Sequence, residues 1–177
     1  MDLEDVARLN ADYGLLISYW RGKIVPPAEI PRRADLELMD LHAIAPRLVM
    51  IDVESDDNGQ PLYKWRFSGT FLRDVIGVEM TGMYLHEVAD AETARQTVEA
   101  YRSVVKRHEA HFWTRNIGIQ SLDRSFVTYS RLILPLLGTG DDVEHMIGVY
   151  VFDETRAWTT TAQQQQWRFV IEQPQGG

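Results

Sequence analysis

The residues predict an α+β fold: a five-stranded antiparallel sheet with helices on one face, extended by an N-terminal and a C-terminal helix. Three observations predict it. Two strand-like segments between residues 48 and 68 precede a helical middle, and three more strand-like segments follow between residues 108 and 152. No internal repeat or βαβ alternation is present, which argues against a doubly wound parallel sheet. Pro26, Pro27 and Pro31 separate this core from an amphipathic N-terminal segment.

That first segment predicts a helix. Leu3, Val6, Leu9, Tyr13, Leu16, Ile17 and Trp20 recur at steps of three and four, the spacing that lines one helix face. Glu4 and Asp5 stand where the helix dipole favours negative charge, and Arg21-Gly22-Lys23 ends the pattern. The proline connector runs over residues 24–33, and residues 34–46 leave room for one short helical turn. Leu48-Val49-Met50-Ile51-Asp52-Val53 is a β-branched apolar run. Asp56-Asp57-Asn58-Gly59 follows as a turn cluster, its Asn-Gly pair a strong hairpin marker. Tyr63-Lys64-Trp65-Arg66-Phe67-Ser68 alternates strictly, which puts Tyr63, Trp65 and Phe67 on one face.

Residues 71–107 lose the alternation and read as helical. The clearest stretch is 92–107, where Ala94, Val98, Tyr101 and Val105 line one side. Strand patterns return at 108–119, 126–137 and 145–152. Ser121-Leu122-Asp123 and Gly138-Thr139-Gly140-Asp141-Asp142 separate them. Residues 155–172, with Trp158, Trp167 and Phe169, predict a polar C-terminal helix. The expected division is an N-terminal helix and connector over 1–47, a core over 48–153 and an extension over 154–177.

Composition removes several function classes. Hydrophobic residues make up 45% and charged residues 25%, as in ordinary globular proteins. No apolar run approaches the roughly 20 residues that cross a bilayer. The acidic start Met1-Asp2-Leu3-Glu4-Asp5 is unlike a secretory signal, so a cytoplasmic setting is expected. With no cysteine, disulfides, thiolate metal sites and cysteine nucleophiles are excluded. The net charge of -8 opposes a role in binding nucleic-acid phosphates.

No catalytic pattern emerges. His108 and His111 are three apart with Glu109 between them, but at a strand start that spacing points them to opposite faces. A solvated strand end is the simpler reading. Metal-protease, nucleophile-elbow, phosphate-loop and dinucleotide motifs are all missing. Gly138-Thr139-Gly140 joins two strands, with no helix N-terminus to aim amides at a phosphate. The Gln163 to Gln166 run reads as a solvated helix face.

A family resemblance is carried by Tyr19-Trp20-Arg21, Pro31-Arg32-Arg33-Ala34-Asp35, Tyr63 through Gly69-Thr70, Thr81-Gly82, Leu132-Ile133-Leu134-Pro135-Leu136 and Asp153-Glu154-Thr155. In this order the segments resemble a family of short, stand-alone bacterial PAS-domain proteins, over about residues 16–153. Glu37-Leu38-Met39 departs from the pattern, since many relatives carry a proline there. The resemblance implies a signalling role, with sheet and helices enclosing a small cavity and flanking helices reporting its state or forming dimers. Its flavin-photoadduct branch uses a cysteine, absent here. Haem in some relatives hangs from a histidine on the long helix, and His108 stands only at that helix's end. No cofactor identity follows.

The candidate pocket residues are Trp65, Phe67, Tyr101, Val105, Trp113 and Tyr129. They either fill a plain core or line a partly hollow site with a few polar groups. Alternation leaves open which side of the third and fourth strands faces inward, hence the position of Trp113 and Tyr129. Arg32, Arg33 and Asp35 either meet a partner or form a structural ion pair.

The expected function is a PAS-type sensor or adaptor acting through a small ligand, protein contacts or both, without catalysis. The alternative is a small-molecule-binding enzyme or transport-type protein in a curved-sheet shell. Expected partners are an unidentified signalling protein and a second copy of the chain, with no nucleic acid and no membrane. The homodimer would pair through the N-terminal helix; the competing arrangement packs that helix back on its own sheet.

Overall fold

The N-terminal apolar stripe folds as two helices, α1 (Leu3–Leu9) and α2 (Ala11–Gly22). They part at Asn10, whose backbone is extended (φ -159°, ψ 144°) and whose side chain accepts the Asp12 N–H at 2.8 Å. Asparagine satisfies an otherwise orphaned helix-start donor, and this cap starts a new helix inside the periodic stripe. The single helix expected over residues 3–20 is corrected accordingly. The computed structural model describes residues 2–119 and 125–152, with side chains described up to Arg115 and again from Thr128. The helix expected over residues 155–172 and the turn at Ser121-Leu122-Asp123 lie outside the described residues.

The connector contains three short 3-10 turns, at Arg33–Asp35, Leu38–Leu41 and Ala45–Arg47, where one had been expected. Arg32 clasps the last hairpin turn of the sheet. Its guanidinium donates to the carbonyls of Gly138 at 3.1 Å and Gly140 at 2.6 Å, and pairs with Asp141 at 3.3 Å. The Gly138-Thr139-Gly140 segment thus offers carbonyls to a cation instead of amides to a phosphate. Arg33 donates to its neighbour Leu36 O at 3.1 Å.

β1 (Leu48–Ser55) and β2 (Pro61–Ser68) form the expected hairpin. Asp56 Oδ1 accepts the N–H groups of Asn58 and Gln60, each at 2.8 Å, and Gly59 takes φ 74°. The helical middle resolves into α3 (Thr70–Ile76), α4 (Leu85–Val88) and α5 (Ala91–Arg107). Asp90 caps α5 by accepting from Glu92 and Thr93 N–H. Its buried line is Thr97, Ala100, Tyr101 and Val104, one helical face at i, i+3, i+4 and i+7.

β3 (His111–Ile119), β4 (Ser125–Leu137) and β5 (Val143–Phe152) complete a five-stranded sheet of order β2-β1-β5-β4-β3, with every pairing antiparallel. The expected fold class is the observed one. The first and last strands meet at its centre. The outer edge of β2 is covered by the segment before α4: Trp65 N–H donates to Met83 O, and Gly82 N–H to Trp65 O.

The two faces carry different partners. On one, α5 lies over Tyr63, Trp65, Arg131 and Tyr150. On the other, α2 packs against β5 and reaches Ser130 of β4 and Phe112 of β3. Tyr13 on α2 shares a 2.6 Å hydrogen bond with Ser130, and Trp20 Nε1–H donates to Pro135 O at 2.8 Å. Val6, Tyr13, Leu16, Ile17 and Trp20 are all buried in the single chain. The expectation that this stripe stands free to pair with a second copy is corrected at these five residues, which the chain's own core buries, while Leu9 stays 56% exposed. Among the described residues no helix is long and apolar enough to cross a membrane.

Candidate functional site

The site grows from side-chain alternation on β4. In the run Tyr129-Ser130-Arg131-Leu132, every second residue turns toward α5, and one of them is an arginine. Arg131 is only 2% exposed, and it is one of the largest fully buried side chains among the described residues. Its Nη1 donates to the hydroxyls of Tyr101 at 3.1 Å and Tyr150 at 3.3 Å. Its guanidinium carbon lies 3.7 Å from the Trp113 ring centroid and 4.8 Å from that of Tyr101. These π faces are favourable for a cation. They do not neutralise it, and Arg131 Nε and Nη2 find no hydrogen-bond partner among the described residues.

Aromatic rings pack around the guanidinium and complete a buried cluster of side chains, the Arg131 chamber. Tyr129 stacks on Tyr150 with centroids 5.4 Å apart, Trp65 approaches Tyr150 at 6.4 Å, and Tyr63 meets Tyr101 edge-on at 5.2 Å. His111 sits edge-on to Trp113 at 5.2 Å and 84°. Burial, with help from the Arg131 and Arg115 charges, pushes the His111 pKa down to about 4, so the ring is neutral near pH 7. Burial likewise raises Tyr63 and Tyr129 to about 12 and Tyr101 well above the usual phenol value, leaving these phenols protonated. Tyr63 Oη, Trp65 Nε1 and His111 Nδ1 also have no partner among the described residues. A guanidinium and an indole N–H can only donate. The chamber therefore holds a surplus of donors and a positive charge, with no carboxylate paired to Arg131 among the described residues.

Four of the six expected pocket residues, Trp65, Tyr101, Trp113 and Tyr129, are brought together here and buried. Phe67 is not. A bulge places Ile51 opposite Trp65 but Met50 opposite Phe67, so Arg66 is the extra residue and the alternation reverses. The expectation that Tyr63, Trp65 and Phe67 share one face is corrected at Phe67. Val105 is half-buried at the outer margin, where it lines a cleft of about 340 Å³ with Tyr63, Arg102 and Lys106. His111, read above as a solvated strand end, is corrected to a chamber residue. His108 is instead the exposed C-cap of α5, with φ 57°.

Arg131 and Tyr150 were missed by the sequence reading. The signal was present, as an arginine at an alternating position of an otherwise apolar strand. It was hidden because the inward face of β4 was unassigned. Among the described residues no group of His, Asp or Glu is arranged to hold a metal ion.

With this geometry in place, comparison with known proteins identifies the fold. A family model described as PAS domain matches residues 11–151, most of the chain. The chain belongs to the PAS domain family. No curated protein matches it. Solved structures similar to this PAS chain include a light-oxygen-voltage domain studied with a flavin analogue, at 15% identity and TM-score 0.46, spanning 68% of this chain and 87% of that one. The Aureochrome1 blue-light photoreceptor LOV domain is 11% identical with TM-score 0.46, over 75% of this chain and 96% of that one. A PAS domain from Colwellia psychrerythraea is 10% identical with TM-score 0.45, over 68% of this chain and 100% of that one.

Proposed function

We propose that this PAS chain is a sensor or adaptor module that works without catalysis, by ligand occupancy of the Arg131 chamber and contacts with a signalling protein. The observation that carries the reading is the two-sided use of β4. Arg131 enters the chamber, while the adjacent Ser130 holds Tyr13 of α2 at 2.6 Å on the opposite face. A shift of β4 at the ligand is therefore transmitted to the N-terminal helices through one hydrogen bond and the packing around it. In this reading residues 48–153 sense and residues 1–47 report.

The enzyme alternative is less well supported, since the chamber's ionisable groups are a permanent cation, protonated phenols and a neutral imidazole. A homodimer through the N-terminal helices remains part of the proposal. It would use their outward side, where Leu9 and Leu15 are 56% and 38% exposed. The setting proposed is the cytoplasm, in keeping with a cysteine-free chain.

Native mass spectrometry of gently purified protein tests the ligand claim. A bound compound that is released on unfolding, and lost in Trp65→Ala, supports it. A bare chain, whose α2 hydrogen exchange is also unchanged by Trp65→Ala, overturns it.

A further inference from the structure

The geometry points to a small organic carboxylate as the ligand of this chamber, held by the free Nε and Nη2 edge of Arg131 and admitted between α5 and β2 past Arg102 and Lys106. This deepens the proposed function and rests on its reading of the chamber as the ligand site.

The first support is the unmet demand of Arg131. A buried guanidinium without a counter-charge bears a desolvation penalty of several kcal/mol, which π faces offset only in part. Two of its three nitrogens have no acceptor among the described residues, although Nη1 has two. The Nε–H and an adjacent Nη–H form a planar fork that fits the two oxygens of a carboxylate.

The second support is the run of groups toward the surface. Tyr63 faces Tyr101 inside and lines the 340 Å³ cleft outside, so two aromatic rings separate that cleft from the guanidinium. Its hydroxyl and the Trp65 N–H are further donors awaiting an acceptor. At the cleft itself stand Arg102 and Lys106, one helical turn apart on α5 and both exposed. In a chain of net charge -8, cations leading inward to a third cation make a local field that attracts anions. The aromatic walls suit a carboxylate with a flat or apolar body.

Benzoate and its neutral isostere benzamide, then succinate and succinamide, separate charge from shape. Binding is read by Trp fluorescence and by the thermal midpoint. The expected result is saturable binding of at least one carboxylate and none of its amide. Arg131→Gln, with its fold checked by circular dichroism, should weaken that binding about 10- to 100-fold, as loss of a charged hydrogen-bonded pair does. Arg102→Gln with Lys106→Gln, both on the surface, should slow association severalfold and flatten its salt dependence while leaving the midpoint unchanged.

Equal binding of acid and amide would overturn the carboxylate assignment and leave the sensor reading standing. So would a co-purifying compound that is neutral. Absence of binding by both carboxylates would make Arg131 a core cation and overturn the inference. The sensor reading would then stand or fall on native mass spectrometry alone.

Discussion

The guanidinium carbon of Arg131 lies 3.7 Å from the ring centroid of Trp113, and among the described residues no other charged side chain is buried. Without a ligand, that contact and two tyrosine hydroxyls are its compensation. Replacing a buried ionic group by an apolar side chain of similar length is often neutral or stabilising, by about 1–4 kcal/mol. Arg131→Met should therefore unfold at equal or higher urea concentration than the parent. Tyr101→Phe, which keeps the charge and removes an acceptor, should cost about 1 kcal/mol. Urea titration with unchanged m-values checks both. A loss of several kcal/mol in Arg131→Met would show that the cation stabilises the fold by itself.

The succession of strands along the chain and the long helix were legible because alternation and helical periodicity are local, and each element here carries its own pattern. Features that depend on two distant segments were not. The bulge opposite Met50 reverses Phe67, yet nothing in Trp65-Arg66-Phe67 marks it, because register belongs to the pair of strands. Asn10 was readable in principle: a good N-cap residue interrupts the stripe, but the stripe continues in phase across it. Which face of β4 turns toward α5 is set by how the sheet packs, so Arg131 stayed hidden while its neighbours Trp113 and Tyr129 were named without an assigned side.

His111 should make the protein sensitive to mild acid. Its pKa falls from 6.5 to about 4 on folding, through burial first and then the Arg131 and Arg115 charges. The folded state thus binds fewer protons than the unfolded chain between those values. Its contribution is complete above pH 6.5 and is lost as pH falls toward 4, by at most about 3 kcal/mol. Comparing urea midpoints of the parent and His111→Gln from pH 7 to pH 4 isolates this group from the carboxylates that titrate in both. Parallel curves for the two proteins would refute it.

Gly69 is required for the junction of β2 with α3. A Cβ built there would stand 2.2 Å from Pro46 O and 2.3 Å from Ala45 O, both backbone atoms of the connector. Its N–H also donates to Leu48 O at 2.9 Å, so the segment cannot shift outward without breaking that bond. Gly69→Ala should destabilise by about 1–3 kcal/mol or more, as overpacking against rigid neighbours does. Gly22→Ala, where a Cβ meets nothing within 4 Å, is the control and should be neutral or slightly stabilising. Thermal midpoints of the two variants decide the matter.

The N-terminal helices should behave as part of the folded core. Tyr13, Leu16, Ile17 and Trp20 are at most 6% exposed, and they belong to one buried cluster with Leu132, Leu134 and Leu136 of the sheet. Two hydrogen bonds, Tyr13 to Ser130 and Trp20 to Pro135 O, fix the helix against β4. Deleting residues 1–22 would uncover this leucine face, a contiguous apolar surface that monomers rarely tolerate. The truncated chain should aggregate or unfold at a clearly lower midpoint, which light scattering and a denaturant titration both read. Trp20→Phe gives a graded version: it keeps most of the ring packing and removes only the indole donor, for a cost of about 1 kcal/mol. A truncated chain that stays monodisperse with an unchanged midpoint would mean α2 is a detachable arm, and its burial would then have to come from a partner.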